Sequence, residues 1–471
     1  MKKIASTFFA APLLSLLLTS PEPLTAAEPP KPNVIVMIAD DLGSGDVSCL
    51  FRDVVKTPNL DRLAKSGVKF TSGYVTAPLC GPSRAGFFTG RYQERFGFMD
   101  NKGGIPTNLP LLPGVLHDAG YRTALIGKWH SAGPMPHERG CFDESLCSVT
   151  SSPVINYHNP KLSRNGKPEQ FHEYSTDLFA KEAEGFIDRN KDKPFSLTVT
   201  FNAPHILGVV KGAELIKKEY DASVAAGKVL DVPKVSTARP GEAAKYASQF
   251  PGDTARADTV ATIVALDQAV GRILDKLKQT GLDKNTMIFF FADNGAHPEN
   301  RSENLPLRDY KWTVYEGGIR VPFIAAYPGV FPAGLEFSNP VCSFDIFPTC
   351  VALTGAQSPA NLDGVDLTPY LKGEKTTAPH EDLFFSQDGM GGVRQGQWKL
   401  VMPQGGTPQL FDVSRDVEEK RDLSAGESAR VKELTAKWQA WNAQMPPPSK
   451  NKRLKEGGKK SAAPMEAEND Q

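Results

Sequence analysis

The chain is 471 residues long, room for one large α/β domain with an appendage or for roughly three domains of ordinary size. Lys plus Arg and Asp plus Glu both number 54, so the formal net charge is zero. This excludes a nucleic-acid footprint spread over the whole chain. With 41 Gly, 38 Pro and 40% hydrophobic residues, short punctuated elements are expected, and a fibrous protein, a coiled coil and a polytopic membrane protein are excluded.

The chain opens Met1-Lys2-Lys3, runs apolar over 4–18, and reaches the small-x-small site Thr25-Ala26-Ala27. That is the pattern of a secretory signal peptide over 1–27, cleaved near residue 27. The apolar run falls short of the roughly 20 residues that span a bilayer, and no later run approaches that length. The expectation is an exported protein, periplasmic or secreted, with no stable membrane insertion. Val34–Ala39 then reads as a strand, and 60–65 as a helix capped by Asn59 and closed by Gly67. Thr123–Ile126 is a short strand. Ser175 or Thr176 caps a helix to about Arg189, followed by a strand Phe195–Phe201. A long helix Thr254–Gln279 is stopped by Gly281 and leads to an apolar strand Thr286–Phe291, with Val321–Ala325 as another. Buried strands alternating with helices predict an α/β fold: a large, mostly parallel sheet covered by helices on both faces.

After about Gly364 the pattern changes. Residues 381–387, 391–401 and 409–413 read as short antiparallel strands, and 429–440 as a helix. The expected organisation is a signal peptide (1–27), a catalytic domain (28–365), a C-terminal α+β subdomain (366–445) and a disordered polar tail (446–471). Six cysteines in an exported chain raise the question of disulfides. Cys141 with Cys147 and Cys342 with Cys350 are the open pairings, leaving Cys49 and Cys80 over.

Function becomes legible in the residues at the C-terminal end of each strand. Val34–Ala39 ends in Asp40-Asp41, Thr123–Ile126 in Gly127-Lys128-Trp129-His130, Phe195–Phe201 in Asn202-Ala203-Pro204-His205, and Thr286–Phe291 in Ala292-Asp293-Asn294-Gly295. In an open parallel sheet, ligands bind at that edge. Asp40, Asp41, Asp293 and Asn294 offer four hard oxygen donors, a set suited to Ca²⁺ or Mg²⁺ and unsuited to zinc. Cys80 precedes a helix start, where a thiol is either a buried structural group or an activated nucleophile. Arg84, in the first turn, is disfavoured by the helix dipole and so needs a specific anionic partner.

Cys80-x-Pro82-Ser83-Arg84 with Thr89-Gly90-Arg91 resembles the signature of type I sulfatases in the alkaline-phosphatase-like superfamily. Gly127-Lys128-Trp129-His130, Pro204-His205, Asp293-Asn294-Gly295, Lys311 with Glu316-Gly317-Gly318-x-Arg320-x-Pro322, and Asp363-Gly364-Val365-Asp366-Leu367 match that family in order. The resemblance covers roughly residues 32–440 and looks closest to the arylsulfatase and N-acetylgalactosamine-6-sulfatase-like group. It implies that a formylglycine-generating or anaerobic sulfatase-maturating enzyme oxidises Cys80 to Cα-formylglycine. Its hydrated form can attack sulfur and later expel sulfate by collapsing to the aldehyde.

It further implies one Ca²⁺ held by Asp40, Asp41, Asp293 and Asn294, with Arg84 steadying the nucleophile and Lys128 and Lys311 binding sulfate oxygens. His205 is the implied donor to the leaving alcohol and His130 the base in the elimination. Glu316 and Arg320 read as an internal ion pair bracing the segment that carries Lys311, and His137 as a possible lining of the substrate pocket. Of three local departures from the family pattern, Gly81 is compatible with the Cys-x-Pro-Ser-Arg signature, Leu42-Gly43-Ser44-Gly45-Asp46 bears on pocket shape, and Ser131-Ala132-Gly133 on how substituents flanking the sulfate are bound. The expected substrate is a sulfated saccharide or another sulfate ester. Two other readings are a formylglycine-dependent phosphodiesterase or phosphonate monoester hydrolase, and a catalytically silent glycan-binding protein.

Overall fold

The computed structural model describes residues 30–150, 156–206 and 236–447. The expected signal peptide, the lysine-bearing stretch with Lys211, Lys217, Lys218 and Lys228, and the tail from 448 lie outside the described residues. Ten strands form the central sheet in the order Leu335–Phe337, Val68–Phe70, Phe323–Ala326, Thr286–Ala292, Asn33–Ala39, Phe195–Thr200, Arg122–Gly127, Glu144–Ser148, Lys161–Arg164 and Lys167–Gln170. The five from Thr286–Ala292 to Glu144–Ser148 are parallel to one another. Phe323–Ala326 and the hairpin 161–170 add antiparallel pairing on either side. The central strands are buried throughout, which explains their unbroken apolar runs: both faces are covered, by helices such as Ser175–Asn190 and Thr254–Gln279.

The long helix Thr254–Gln279 has the bounds that its periodicity predicts, with Asp253 accepting the Arg256 backbone N–H at 2.9 Å as its cap. Two caps fall elsewhere than expected. Thr57 precedes helix Pro58–Ser66, and Asn59 is inside it, donating to Asp267 of the long helix at 2.8 Å. Ser175 is already helical, and its hydroxyl donates to Asn202 at 3.1 Å. Both side chains are drawn from capping into long-range bonds.

The C-terminal region is a four-stranded antiparallel meander: Asp382–Gln387, Met390–Gln395, Trp398–Met402 and Gln409–Asp412. The single strand expected over 391–401 is two, because Gly396 turns the chain with φ +53°. One face carries Leu383, Phe385, Val401 and Phe411 into the main core. The other packs Val393, Leu400 and Leu410 on Leu434 of helix Ser428–Asn442. All six cysteines are unpaired thiols; neither open disulfide forms. No helix among the described residues is long and apolar enough to cross a membrane.

Candidate active site

Strand register puts the polar residues at one level. Ala39 pairs with Ala292, Ile38 with Thr200, and Thr200 with Gly127. Asp40, Asp293, Lys128 and the Asn202 turn therefore all leave the sheet within about one residue of each other. Gly127 has no substitute here: at φ +109° a Cβ would stand 1.9 Å from the Thr200 carbonyl oxygen. Its neighbour Lys128 donates its backbone N–H to that same oxygen at 2.9 Å.

Helix Cys80–Thr89 enters this edge from the side and is buried over its whole length. Cys80 and Arg84, four apart, lie on one face. The Cys80 Sγ is 3.0 Å from Lys311 Nζ, 3.5 Å from Asp40 Oδ1 and 3.7 Å from Asp41 Oδ1. Burial pushes its thiol well above the usual range despite the two lysines, so the unmodified side chain stays neutral. Arg84 has the anionic partner its position demanded: Nε and Nη2 both lie 2.8 Å from Asp293 Oδ2, and Nη1 donates to the Lys128 carbonyl at 2.9 Å.

The lysines complete the charge pattern. Lys128 Nζ is 2.5 Å from Asp40 Oδ2, and Lys311 Nζ is 2.7 and 2.9 Å from the two Asp41 oxygens. Lys311 is fixed through its backbone, donating to the Ala296 carbonyl at 3.0 Å, while Trp312 donates to Pro78 at 2.9 Å. Three buried carboxylates thus face three buried cations. Asp41 is held below the usual carboxylate range by Lys311 and His205. Asp293 is pushed up to about 7 by burial and by the charge of Asp40.

His205 donates Nδ1–H to the Ile206 carbonyl at 2.7 Å, leaving Nε2, 3.6 Å from Asp41 Oδ2, as the nitrogen that exchanges protons. His130, at φ +55°, is buried with both ring nitrogens unpartnered among the described residues. Burial and Lys128 push its pKa well down.

The residues fit a divalent cation. Ligand atoms of Asp40, Asp41, Cys80 and His205 lie within 4.8 Å of one another. Asn294 donates Nδ2–H to Asp41 at 2.7 Å and keeps its buried Oδ1 without a partner, an orphan acceptor in a set of hard oxygens. In formal charge Asp40, Asp41 and Asp293 balance Arg84, Lys128 and Lys311, so a bound divalent cation would give the site the positive charge that an anionic ester needs.

Ten of the expected site residues converge here. His137 does not: it is exposed in the turn Pro136–Glu138 with its ring against Gly166 of the hairpin. Glu316 and Arg320 form the expected ion pair at 3.1 Å. Sequence reasoning missed His297, buried in the loop after Asn294, and Asn300, which accepts the Ile206 N–H at 2.7 Å beside His205. Both lie within a few residues of a site strand's end, the signal that found the others. Also unforeseen were Lys399 and Glu419, which hold the Glu316 carboxylate and its backbone N–H at 3.0 and 2.8 Å.

A buried oxyanion-binding pocket at the edge of a largely parallel sheet, with a nucleophile position at a helix start, defines an ester hydrolase of the alkaline-phosphatase-like class. The Sulfatase family profile matches residues 32–356, and the profile "N-sulphoglucosamine sulphohydrolase, C-terminal" matches 308–441. The chain belongs to the sulfatase family. It is 31% identical to mouse N-acetylgalactosamine-6-sulfatase, over 83% of this chain and 75% of that one, and 28% identical to human arylsulfatase D, over 87% and 86%. The crystal structure of Ps i-CgsB in complex with k-i-k-neocarrahexaose superposes with a TM-score of 0.78 at 30% identity, covering 91% of this chain and 96% of that one.

Proposed function

We propose that this sulfatase is an exported, Ca²⁺-dependent enzyme that hydrolyses sulfate esters of carbohydrates, using a formylglycine made from Cys80 by a separate maturation enzyme. The observation that carries this reading is the approach of Lys311 and the Asp40 and Asp41 carboxylates to within 3.0–3.7 Å of the Cys80 side chain. So much buried charge gathered around a thiol that stays neutral supports a reactive group at this position.

When present, the cation and the hydrated aldehyde at position 80 supply Lewis-acid polarisation and an oxygen nucleophile. Asp40, Asp41, Asp293 and the Asn294 amide oxygen would hold the cation. Arg84 fixes Asp293 through its Nε–H, with Nη2 in ion-pair range of the same oxygen, and would steady the residue-80 hydroxyls from the same helix face. Lys128 and Lys311 bind sulfate oxygens and stabilise charge that grows on them during transfer. His205, with its Nδ1 proton committed to Ile206, delivers a proton from Nε2 to the leaving alcohol. His130, unpartnered among the described residues and held neutral, would be the base for a hydroxyl proton at residue 80.

Residues 28–365 are read as the catalytic domain and 366–445 as a subdomain that braces the Lys311 segment. The signal peptide over 1–27 supports a periplasmic or secreted location. A carbohydrate substrate is supported by the names of the relatives, a hexosamine sulfatase and a protein bound to a neocarrahexaose. Screening the matured protein on sulfated mono- and oligosaccharides beside phosphate diesters tests the proposal. Turnover of a sulfated sugar is expected; a strong preference for the diester would overturn it.

A further inference from the structure

His297 lies three residues beyond Asn294 and is 1% exposed. Its Nδ1 accepts the Glu299 backbone N–H at 3.0 Å, so in the neutral ring the proton sits on Nε2. That Nε2–H has no acceptor among the described residues. Folded proteins seldom leave a buried donor unsatisfied, because its lost hydration goes uncompensated. The ring is held edge-on to Trp312, with centroids 4.6 Å apart, and stands 6.4 Å from the ring of His205. Its chain neighbour Ala296 is tied to Lys311, accepting that residue's backbone N–H at 3.0 Å.

The two histidines are wired in opposite senses. His205 spends its Nδ1 proton on a carbonyl and presents a nitrogen that gains and loses protons. His297 spends its Nδ1 lone pair on an amide and presents a permanent donor. We propose that His297 is a substrate-binding residue that donates its Nε2–H to an oxygen of the sulfate ester, beside Lys311 and His205. The inference rests on reading this pocket as the sulfate site. Burial and the neighbouring Lys311 hold the ring neutral, with a pKa of about 3. It therefore donates at any working pH and serves as neither acid nor base.

The competing role is purely structural, since the same Nδ1 caps the short turn Pro298–Asn300. Two substitutions separate the roles. His297→Asn keeps an acceptor for the Glu299 N–H and loses the distal donor. His297→Gln reaches the distal position with an N–H and loses the cap. With matured full-length protein and 4-nitrophenyl sulfate, His297→Asn is expected to lower kcat/KM about 10- to 100-fold, the worth of one hydrogen bond to a charged group. His297→Gln is expected to retain most of it.

Thermal unfolding with added inorganic sulfate gives a second readout, independent of turnover. If sulfate protects His297→Asn less than the wild type, the acceptor is a non-bridging oxygen. If protection is unchanged while ester turnover falls, it is the bridging oxygen; both results support the proposal. Wild-type behaviour of His297→Asn in both assays, or equal loss in the two variants, would overturn it. Absence of sulfate-ester turnover by the matured wild type would instead overturn the reading of the pocket itself.

Discussion

Replacing Lys399 by methionine tests whether the C-terminal sheet holds the Lys311 segment in place. Lys399 is fully buried, and its Nζ lies 3.0 Å from Glu316 Oε1 and 4.0 Å from Glu419 Oε1. Methionine keeps the stem and removes the charge. Glu316 would retain Arg320 at 3.1 Å and the Tyr74 hydroxyl at 2.8 Å. Glu419 needs less rescue, since burial and the nearby Glu316 charge leave its carboxyl up at about 8 and mostly protonated at neutral pH. Removing one member of a buried pair costs about 3–5 kcal/mol, and these residual partners place the cost near ~3 kcal/mol. At about 1 °C per kcal/mol for a unit of roughly 400 residues, the Tm should fall by ~3 °C. Scanning calorimetry reads this directly, and pairing Lys399→Met with Glu316→Gln in a double-mutant cycle should recover part of the loss. A Tm within about 1 °C of wild type, with no coupling between the two sites, would refute the idea that this buried charge cluster braces the segment.

His205→Gln should lower kcat about 100-fold or more on an alkyl or sugar sulfate. It should cost much less on 4-nitrophenyl sulfate, whose leaving group needs no proton. Equal losses on both would show that His205 is not the donor. Glu94 predicts a pH effect on stability. Both its carboxyl oxygens are buried and unpartnered among the described residues, and burial pushes it up to about 8 from an ordinary 4.5. Between those values the unfolded chain has lost the proton and the folded chain has kept it. Its contribution is therefore full below 4.5, falls as pH rises, and is gone above about 8, a span of a few kcal/mol. Glu94→Gln should flatten that slope in denaturant titrations at pH 5 and pH 8, and an unchanged slope would exclude Glu94 as its source. Chelation with EGTA should abolish activity and lower the Tm, with Ca²⁺ restoring both; full activity after exhaustive chelation would contradict the assigned donor set.

The central sheet was legible because its strands are buried on both faces and so read as unbroken apolar runs. The polar residues at their ends stood out for the same reason. Asp40-Asp41, Lys128, His205 and Asp293-Asn294 interrupt hydrophobic sequence at a point where parallel register brings them together, so adjacency in space followed from position relative to a strand end. Other features carry no such local mark. Lys167–Gln170 is an exposed edge strand with no alternation to read. Asn59 and Ser175 have good capping chemistry but are claimed by Asp267 and Asn202, more than 25 residues away. Glu419 and Lys399 meet Glu316 across about a hundred residues of chain, a contact that tertiary packing alone creates.

The central claim is that residue 80 works as a formylglycine, and intact-peptide mass spectrometry across Cys80, on protein from its native host, tests it most directly. The expected result is a peptide about 18 Da lighter than the cysteine form, read as the unhydrated aldehyde. A plain thiol or a disulfide at Cys80 in all of the native protein would contradict it.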